Sequence, residues 1–260
     1  MVIAMWNGVV WRQSARGHSL KTEDMTYHDG SLTLRGVLAY DDAIKGERPG
    51  IVVVHEAWGL GKHAIARAKM LAKLGYVALA ADMYGDRRQA SDLPAAMELI
   101  GDLRTDPAKL RARAGAAVAT LRAQPNVDTS RMAAIGFCFG GTTVLELARG
   151  GADLKGVVSF HGGLQTAAPA LPGAVTPKVL VCTGADDPMI PPSQVVEFED
   201  EMRKAAADWQ VITYGGTVHS FTNPDAGKGV ALEGLAYNRQ TDQRSWAAMR
   251  SFFDEIFAGN

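Results

Sequence analysis

Hydrophobic and polar positions change period several times along the chain, and the changes mark its elements. Residues 25–41, "MTYHDGSLTLRGVLAYD", alternate around Asp29-Gly30 and again around Gly36, which predicts an antiparallel hairpin. Residues 49–59, "PGIVVVHEAWG", form an almost uninterrupted β-branched run, as expected of a strand buried on both faces. The period then becomes helical: in "KHAIARAKMLAKLGY", Ile65, Ala68, Leu71 and Ala72 share a face and Gly75 marks the end. "VALAADMYG" reads as the next strand. The Ala- and Arg-rich region from Leu93 to Gln124 reads as helix, interrupted near Thr105-Asp106-Pro107. Further strands are predicted in "RMAAIGFCFGG", "LKGVVSFHGG", "PKVLVCTGADD" and "WQVITYGGTVHSF". Helices are predicted in "TTVLELARG", in "PSQVVEFEDEMRKAAAD", which Pro192-Ser193 opens, and in the closing "TDQRSWAAMRSFFDEIF".

Strands alternating with helices predict an α/β fold: a doubly wound, mainly parallel sheet covered on both faces, with the antiparallel hairpin at its N-terminal end. No internal repeat, low-complexity tract or linker divides it, so residues 25–260 are expected to form a single domain after an extension over residues 1–24. At 260 residues and 47% hydrophobic content the chain is long enough to bury one sizeable core. A net charge of −1 without a like-charge run gives no footprint for nucleic acid or an anionic membrane surface. Two cysteines are too few for a disulfide framework, which favours a reducing, cytoplasmic setting. No segment approaches the ~18 consecutive apolar residues of a membrane span. Residues 1–24 carry neither a basic region ahead of their apolar patch nor an A-x-A-like site after it, so they read as a poorly ordered extension rather than a signal peptide. H-x-x-x-H and paired-cysteine spacings do not occur, and neither a metal nor another cofactor is expected. The expected partner is a small molecule, bound by a monomer or weak homodimer.

The candidate chemistry centres on residues 133–148, "AAIGFCFGGTTVLELA". An apolar run ends at Gly136, Cys138 follows between two phenylalanines, and a helical pattern starts after Gly140 and Gly141. This fits G-x-nucleophile-x-G, a sharp strand-to-helix turn that lifts one side chain above the sheet. Cys138 then lies at a helix N-terminus, where the partial positive charge favours a thiolate. A free cysteine is more often a small buried hydrophobe, and Cys182 in "VLVCTG" reads that way. A thiol nucleophile needs a base and the base an orienting group, in the chain order nucleophile, acid, histidine. His219, in "GGTVHSF" after the last strand, is the expected base. His161 in "SFHGG" is the rival, since it too ends a strand. For the acid, "TGADDPMIP" offers Asp187, which precedes a proline and is therefore biased to an extended conformation, with Asp186 as the alternative.

G-F-C-F-G-G around Cys138, G-A-D-D-P-M-I-P around Asp187 and V-H-S-F around His219 resemble the dienelactone hydrolase family, a cysteine-nucleophile branch with the α/β-hydrolase fold. The resemblance runs from about residue 25 to the C-terminus. It implies a hydrolase of esters or lactones with a Cys138-His219-Asp187 triad. Glu56, at the end of the "VVHE" strand, matches a family glutamate that helps convert the resting thiol to a thiolate. The oxyanion hole is expected to be the backbone N–H groups of Phe139 and Ala57.

The chain departs from the family pattern where better-known members grip a carboxylate with two arginines. Asp86 stands at the first position, with Arg87 and Arg88 just beyond, and Asn223 stands at the second. Without that clamp the pocket is expected to take neutral esters. Trp58, Tyr84, Phe221 and Phe139 are expected as walls, and Arg87 and His161 as further substrate-binding residues. The same constellation suits a neutral phosphotriester, whose developing charge also falls on one oxygen, and some family members resembling this chain are promiscuous phosphotriesterases. The rival readings are a dienelactone (carboxymethylenebutenolide) hydrolase proper, a non-catalytic binding protein on the same fold, which the intact triad order disfavours, and a thiol redox enzyme, for which no resolving cysteine lies near Cys138.

Overall fold

In the computed structural model, residues 19–228 and 233–258 are described. Strands β1 (Leu20–Asp29) and β2 (Leu32–Asp41) form the expected antiparallel hairpin, turning at Gly30. Six strands follow: β3 (Arg48–Val54), β4 (Val77–Ala81), β5 (Val127–Phe137), β6 (Gly156–Phe160), β7 (Lys178–Gly184) and β8 (Trp209–Tyr214). All lie in one sheet of order β1-β2-β4-β3-β5-β6-β7-β8. β2 meets β4 antiparallel, and every pairing from β4 through β8 is parallel. This is the topology of an α/β-hydrolase with an N-terminal hairpin.

One boundary differs from expectation. Pairing begins at Leu20, opposite Asp41, ahead of the boundary expected at Met25. Residues 20–24 of the presumed extension therefore belong to the sheet, while residues 1–18 lie outside the described residues. The cause is an edge position: Lys21 to Asp24 are exposed, so no hydrophobic alternation advertises the strand.

The parallel strands are buried from end to end, and their alternate residues serve two different cores. Ile51 and Val53 pack with Ala64, Ala68 and Leu71 of α1 (Lys62–Lys73) and with Met249, Phe252 and Phe253 of α6 (Arg239–Phe257). Val52 and Val54 pack on the opposite face with α3 (Pro107–Arg122), α4 (Phe139–Arg149) and α5 (Pro192–Lys204). Side chains that alternate across a strand make one run of valines serve both layers. Each fully buried Val, Leu or Phe is worth ~1.5–3 kcal/mol, more than the ~1 kcal/mol of a helix cap, so these runs hold the sheet.

The interruption expected near Thr105-Asp106-Pro107 is longer than the sequence pattern suggests. α2 (Leu93–Ile100) is capped by the Asp92 carboxylate and ends at Gly101, a 3-10 turn covers Gly101–Arg104, and α3 restarts at Pro107 with Asp106 as its cap. Among the described residues, no helix is long and apolar enough to cross a membrane.

Candidate active site

β5 ends at Phe137 and α4 begins at Phe139, so Cys138 alone makes the turn, at φ +53° and ψ −116°. For a non-glycine residue such a backbone costs on the order of 1–3 kcal/mol and persists only where its surroundings enforce it. A β-carbon at Gly136 would lie 1.9 Å from the Gly140 carbonyl oxygen, and one at Gly140 would lie 2.3 Å from that of Val54. The flanking glycines are therefore required by close approach, as expected of an elbow. The Cys138 N–H donates to the Phe160 carbonyl at 3.0 Å and to His161 Nδ1 at 3.1 Å. The side chain remains partly exposed and lines a cavity of about 490 Å³. Phe139 and Ala57 line the same cavity, and neither backbone N–H is taken up by a hydrogen bond among the described residues.

The second group comes from the ends of β7 and β8. Asp187 is buried beyond β7, and its Oδ2 accepts from His219 Nδ1–H at 2.7 Å while Oδ1 accepts from the Met189 N–H at 2.8 Å. Asp186 is exposed and points its backbone N–H at the Thr217 carbonyl. Asp187 is thus the carboxylate that meets the histidine. The backbone of His219 is tied to Gly234 and Ala236, and its ring is buried at the cavity wall. His219 Nε2 has no partner at hydrogen-bond geometry among the described residues. Burial pushes the imidazole pKa down, but the Cys138 sulfur and Asp187 together outweigh it and raise the value to about 10.

Glu56 is buried just beyond β3, and burial raises its pKa. Its Oε2 accepts from Asn223 Nδ2–H at 2.5 Å and lies 3.5 Å from His63 Nδ1, while Oε1 is buried without a hydrogen bond among the described residues. Asn223 occupies one of the positions where an arginine clamp was sought. Its role is visible only here: it holds Glu56. His55 is a second group that sequence reading passed over. Its Nδ1–H donates to the Glu56 carbonyl at 2.6 Å and its Nε2 accepts from the Met83 N–H at 3.2 Å. The Gly59 N–H binds that same carbonyl at 3.2 Å. A planar peptide whose C=O is held on one side directs its N–H, that of Ala57, to the other. Burial lowers the His55 pKa to about 4, so the ring works as a neutral hydrogen-bonding group.

None of the five residues expected to contact substrate besides Phe139 lines the cavity. Tyr84 is buried and donates its hydroxyl to the Ala57 carbonyl at 2.9 Å. Phe221 is buried between His161 and Tyr214, and Trp58 packs against the core. His161 is fully buried. Arg87 turns to the hairpin, where it binds Asp24 at 2.7 Å and the carbonyls of Arg35 and Gly36. Arg88 binds the Tyr84 carbonyl, and Asp86 pairs with Arg35 at 3.1 Å. These side chains follow strand ends closely in sequence, but partners elsewhere in the fold draw them away from the opening. The cavity wall is shared instead by Met97, Ile100, Leu103 and Leu110 from the α2–α3 region, with Ile190 just ahead of α5 and Gln194 in its first turn. Arg104 is the one Lys or Arg on that wall among the described residues, and it is exposed. The signal for this wall was the broken helix at Gly101, which presents an apolar edge at a strand-end face. Among the described residues no cluster of three His, Cys, Asp or Glu side chains is arranged to hold a metal.

An eight-stranded sheet of this order, with a nucleophile-type elbow after β5 and a carboxylate-bound histidine after β8, defines an α/β-hydrolase. The sequence profile of the dienelactone hydrolase family matches residues 34–257. The chain belongs to the dienelactone hydrolase family and is a hydrolase acting on ester bonds. A dienelactone hydrolase-like promiscuous phosphotriesterase, P91, from metagenomic libraries is 45% identical over 92% of this chain and 100% of its own, with a TM-score of 0.86. A solved protein designated m3DLH is 48% identical over 92% of this chain and 100% of its own, with a TM-score of 0.87. A putative carboxymethylenebutenolidase of Synechocystis sp. is 27% identical over 90% of this chain and 96% of its own length.

Proposed function

We propose that this enzyme is a cysteine hydrolase of neutral carboxylic esters and lactones that also turns over neutral phosphotriesters, slowly and without a metal, in the same site. The observation that carries the reading is a sulfur on a strained elbow sharing a cavity with a histidine whose other nitrogen is bound by a buried carboxylate. In the forward direction, Glu56, its basicity raised by burial, takes up the thiol proton. The Cys138 thiolate adds to the carbonyl carbon and the oxyanion forms against the N–H groups of Phe139 and Ala57. Collapse to the thioester breaks the C–O bond, and the His219 imidazolium gives its Nε2 proton to the departing alkoxide. His219, now neutral, removes a proton from water as that water attacks the thioester. The acid leaves and the thiolate is regenerated. Asp187 keeps Nδ1 protonated throughout, so that Nε2 is the nitrogen that exchanges protons.

The engagement of Arg87, Arg88 and Asn223 away from the cavity supports a neutral substrate, because a desolvated carboxylate without a cationic partner is costly. The name of P91 adds support for phosphotriesters, which place developing charge on one oxygen as esters do. Two free thiols suit the cytoplasmic setting inferred from cysteine usage. The test compares kcat/KM for an aryl ester, a dienelactone and an aryl dialkyl phosphate, each with and without a chelator, in wild type and Cys138→Ala. The ester is expected to lead and all three activities to vanish in the variant. A preference for the carboxylated lactone, or triesterase activity lost to the chelator, would refute the proposal.

A further inference from the structure

We propose that His161, which does not itself line the cavity, is a positioning residue for the reaction: its ring sets the spacing between the nucleophile elbow and the loop that carries His219. The inference rests on the reading of Cys138 as the nucleophile.

His161 follows β6 directly and is fully buried, with φ +42°. Cys138 follows the neighbouring strand β5 with φ +53°. Two adjacent strands thus end in left-handed, non-glycine residues side by side, and a hydrogen bond joins them, from the Cys138 N–H to His161 Nδ1. A backbone N–H only donates, so Nδ1 carries no proton and the ring proton sits on Nε2. That proton is given to Thr222 Oγ1 at 2.8 Å. Thr222 lies on the same loop as His219, and the His219 ring meets the His161 ring edge-on, with centroids 5.2 Å apart. Phe221 closes the other side at 4.9 Å.

One ring therefore touches the backbone of the nucleophile, the loop of the base and the base itself. Both of its polar atoms are satisfied, in one tautomer only. The alternative tautomer would set Nδ1–H against the Cys138 N–H, a donor–donor clash that the Thr222 hydroxyl, able to donate or accept at Nε2, cannot relieve. Burial also holds the His161 pKa well below its usual 6.5, with His219, His63 and Arg67 adding in the same direction, so the ring is neutral. A buried neutral imidazole with both ring nitrogens engaged, one by the elbow and one by the histidine loop, does not serve as an acid or base. It acts as a strut. Its loss is expected to appear in the rate of bond formation, because misplacement on the scale of 1 Å costs about 10²-fold. Substrate affinity is set elsewhere, at the α2–α3 wall.

The test uses three replacements of His161, assayed with an aryl ester after confirming cooperative unfolding. Asn puts an acceptor where Nδ1 was, Gln reaches only the Nε2 position, and Phe keeps only the packing. Phe and Gln are expected to lower kcat at least about tenfold with KM changed less than about twofold, and Asn to restore kcat to within about threefold of wild type. Wild-type kcat in His161→Phe, better rescue by Gln than by Asn, or a loss confined to KM would overturn the inference. Should the His161 variants fail to fold, Thr222→Val and Thr222→Ser decide. Val strands the Nε2–H and is expected to lower kcat, whereas Ser keeps the acceptor and recovers most of it; equal kcat in the two overturns the inference. Cys138→Ala separates the two levels of argument: turnover by that variant removes the nucleophile reading itself, while an inactive Cys138→Ala beside a fully active His161→Phe removes only the strut.

Discussion

The two walls of the cavity differ in how many partners hold each side chain. On the strand-end wall, Asp187 spends both carboxylate oxygens on protein donors, and His219 is tied at Nδ1 and at its backbone. Cys138 is fixed by glycines that admit no β-carbon around it. On the helical wall, Met97 and Arg104 are exposed, and the 3-10 turn at Gly101–Arg104 interrupts regular hydrogen bonding. On the proposed reading, chemistry that depends on tenths of an ångström falls where the backbone is over-determined. Substrate contact then falls where side chains can change without disturbing the sheet. Substitutions on the first wall should therefore act on kcat and those on the second on KM.

The contrast is sharpest at Cys138, the proposed nucleophile. Cys138→Ala and His219→Ala are each expected to lower ester turnover by about 10³-fold or more, with Cys138→Ala melting near wild type because the elbow already accepts a β-carbon there. Steady-state assays with thermal melts check this, and substantial turnover by either variant would break the comparison at its root.

Glu56→Gln tests whether a residue on the strand-end side carries a thermodynamic penalty for its role. It is expected to lower kcat by about 10- to 100-fold through loss of the base. Burial raises the Glu56 pKa above its unfolded value of 4.5. Its contribution to stability is therefore present below 4.5 and lost as pH rises through the folded value. At neutral pH, Gln should then leave stability unchanged or increased. A variant that is both active and less stable at pH 7.5 would contradict this account.

Acid should weaken the same wall. Burial lowers the pKa of His55 to about 4 and of His63 to about 3, and that of His161 falls well below 6.5. Groups with depressed folded values stabilise the native state above the unfolded value of 6.5 and lose that contribution as pH falls. Each costs up to about 1.4 kcal/mol per pH unit below 6.5. Melting temperature should fall steadily from pH 7 to pH 4.5, and a flat profile would show that these rings are not held neutral.

The smallest effect belongs to the helical wall. Arg104→Ala is expected to change kcat/KM for a neutral aryl ester by less than about threefold, since an exposed charge there is screened by water. Parallel assays with a carboxylated ester sharpen the point. A tenfold or larger loss confined to that ester would make Arg104 the carboxylate partner that Arg87 and Asn223 are not.

Much of this was legible beforehand for a physical reason. Unbroken β-branched runs, Gly136 and Gly140 around Cys138, and a histidine after the last strand are local patterns, and local sterics and burial dictate them. What was not legible concerns residues whose partners lie far along the chain. Asp186 and Asp187 are adjacent, and only the meeting of β7 with the His219 loop separates an exposed carboxylate from a buried one. Arg87 follows a strand end as a ligand-binding arginine would, yet Asp24 and the carbonyls of β2 take it. Asn223 looked like the loss of a clamp, whereas next to Glu56 it is a donor.

By itself, the sequence determined the alternation of strands and helices, the glycine-flanked elbow at Cys138 and the placing of a histidine after the last strand. Each of these follows from period, backbone conformation and side-chain size within a dozen or so residues. Only the tertiary structure decided which carboxylate serves His219, what holds Glu56, where His55 and His161 place their protons, and that the broken helix at Gly101 walls the cavity. Those outcomes depend on hydrogen bonds and burial between segments up to 167 positions apart, as between Glu56 and Asn223. No local pattern encodes which of several polar groups will be nearest once the sheet has closed.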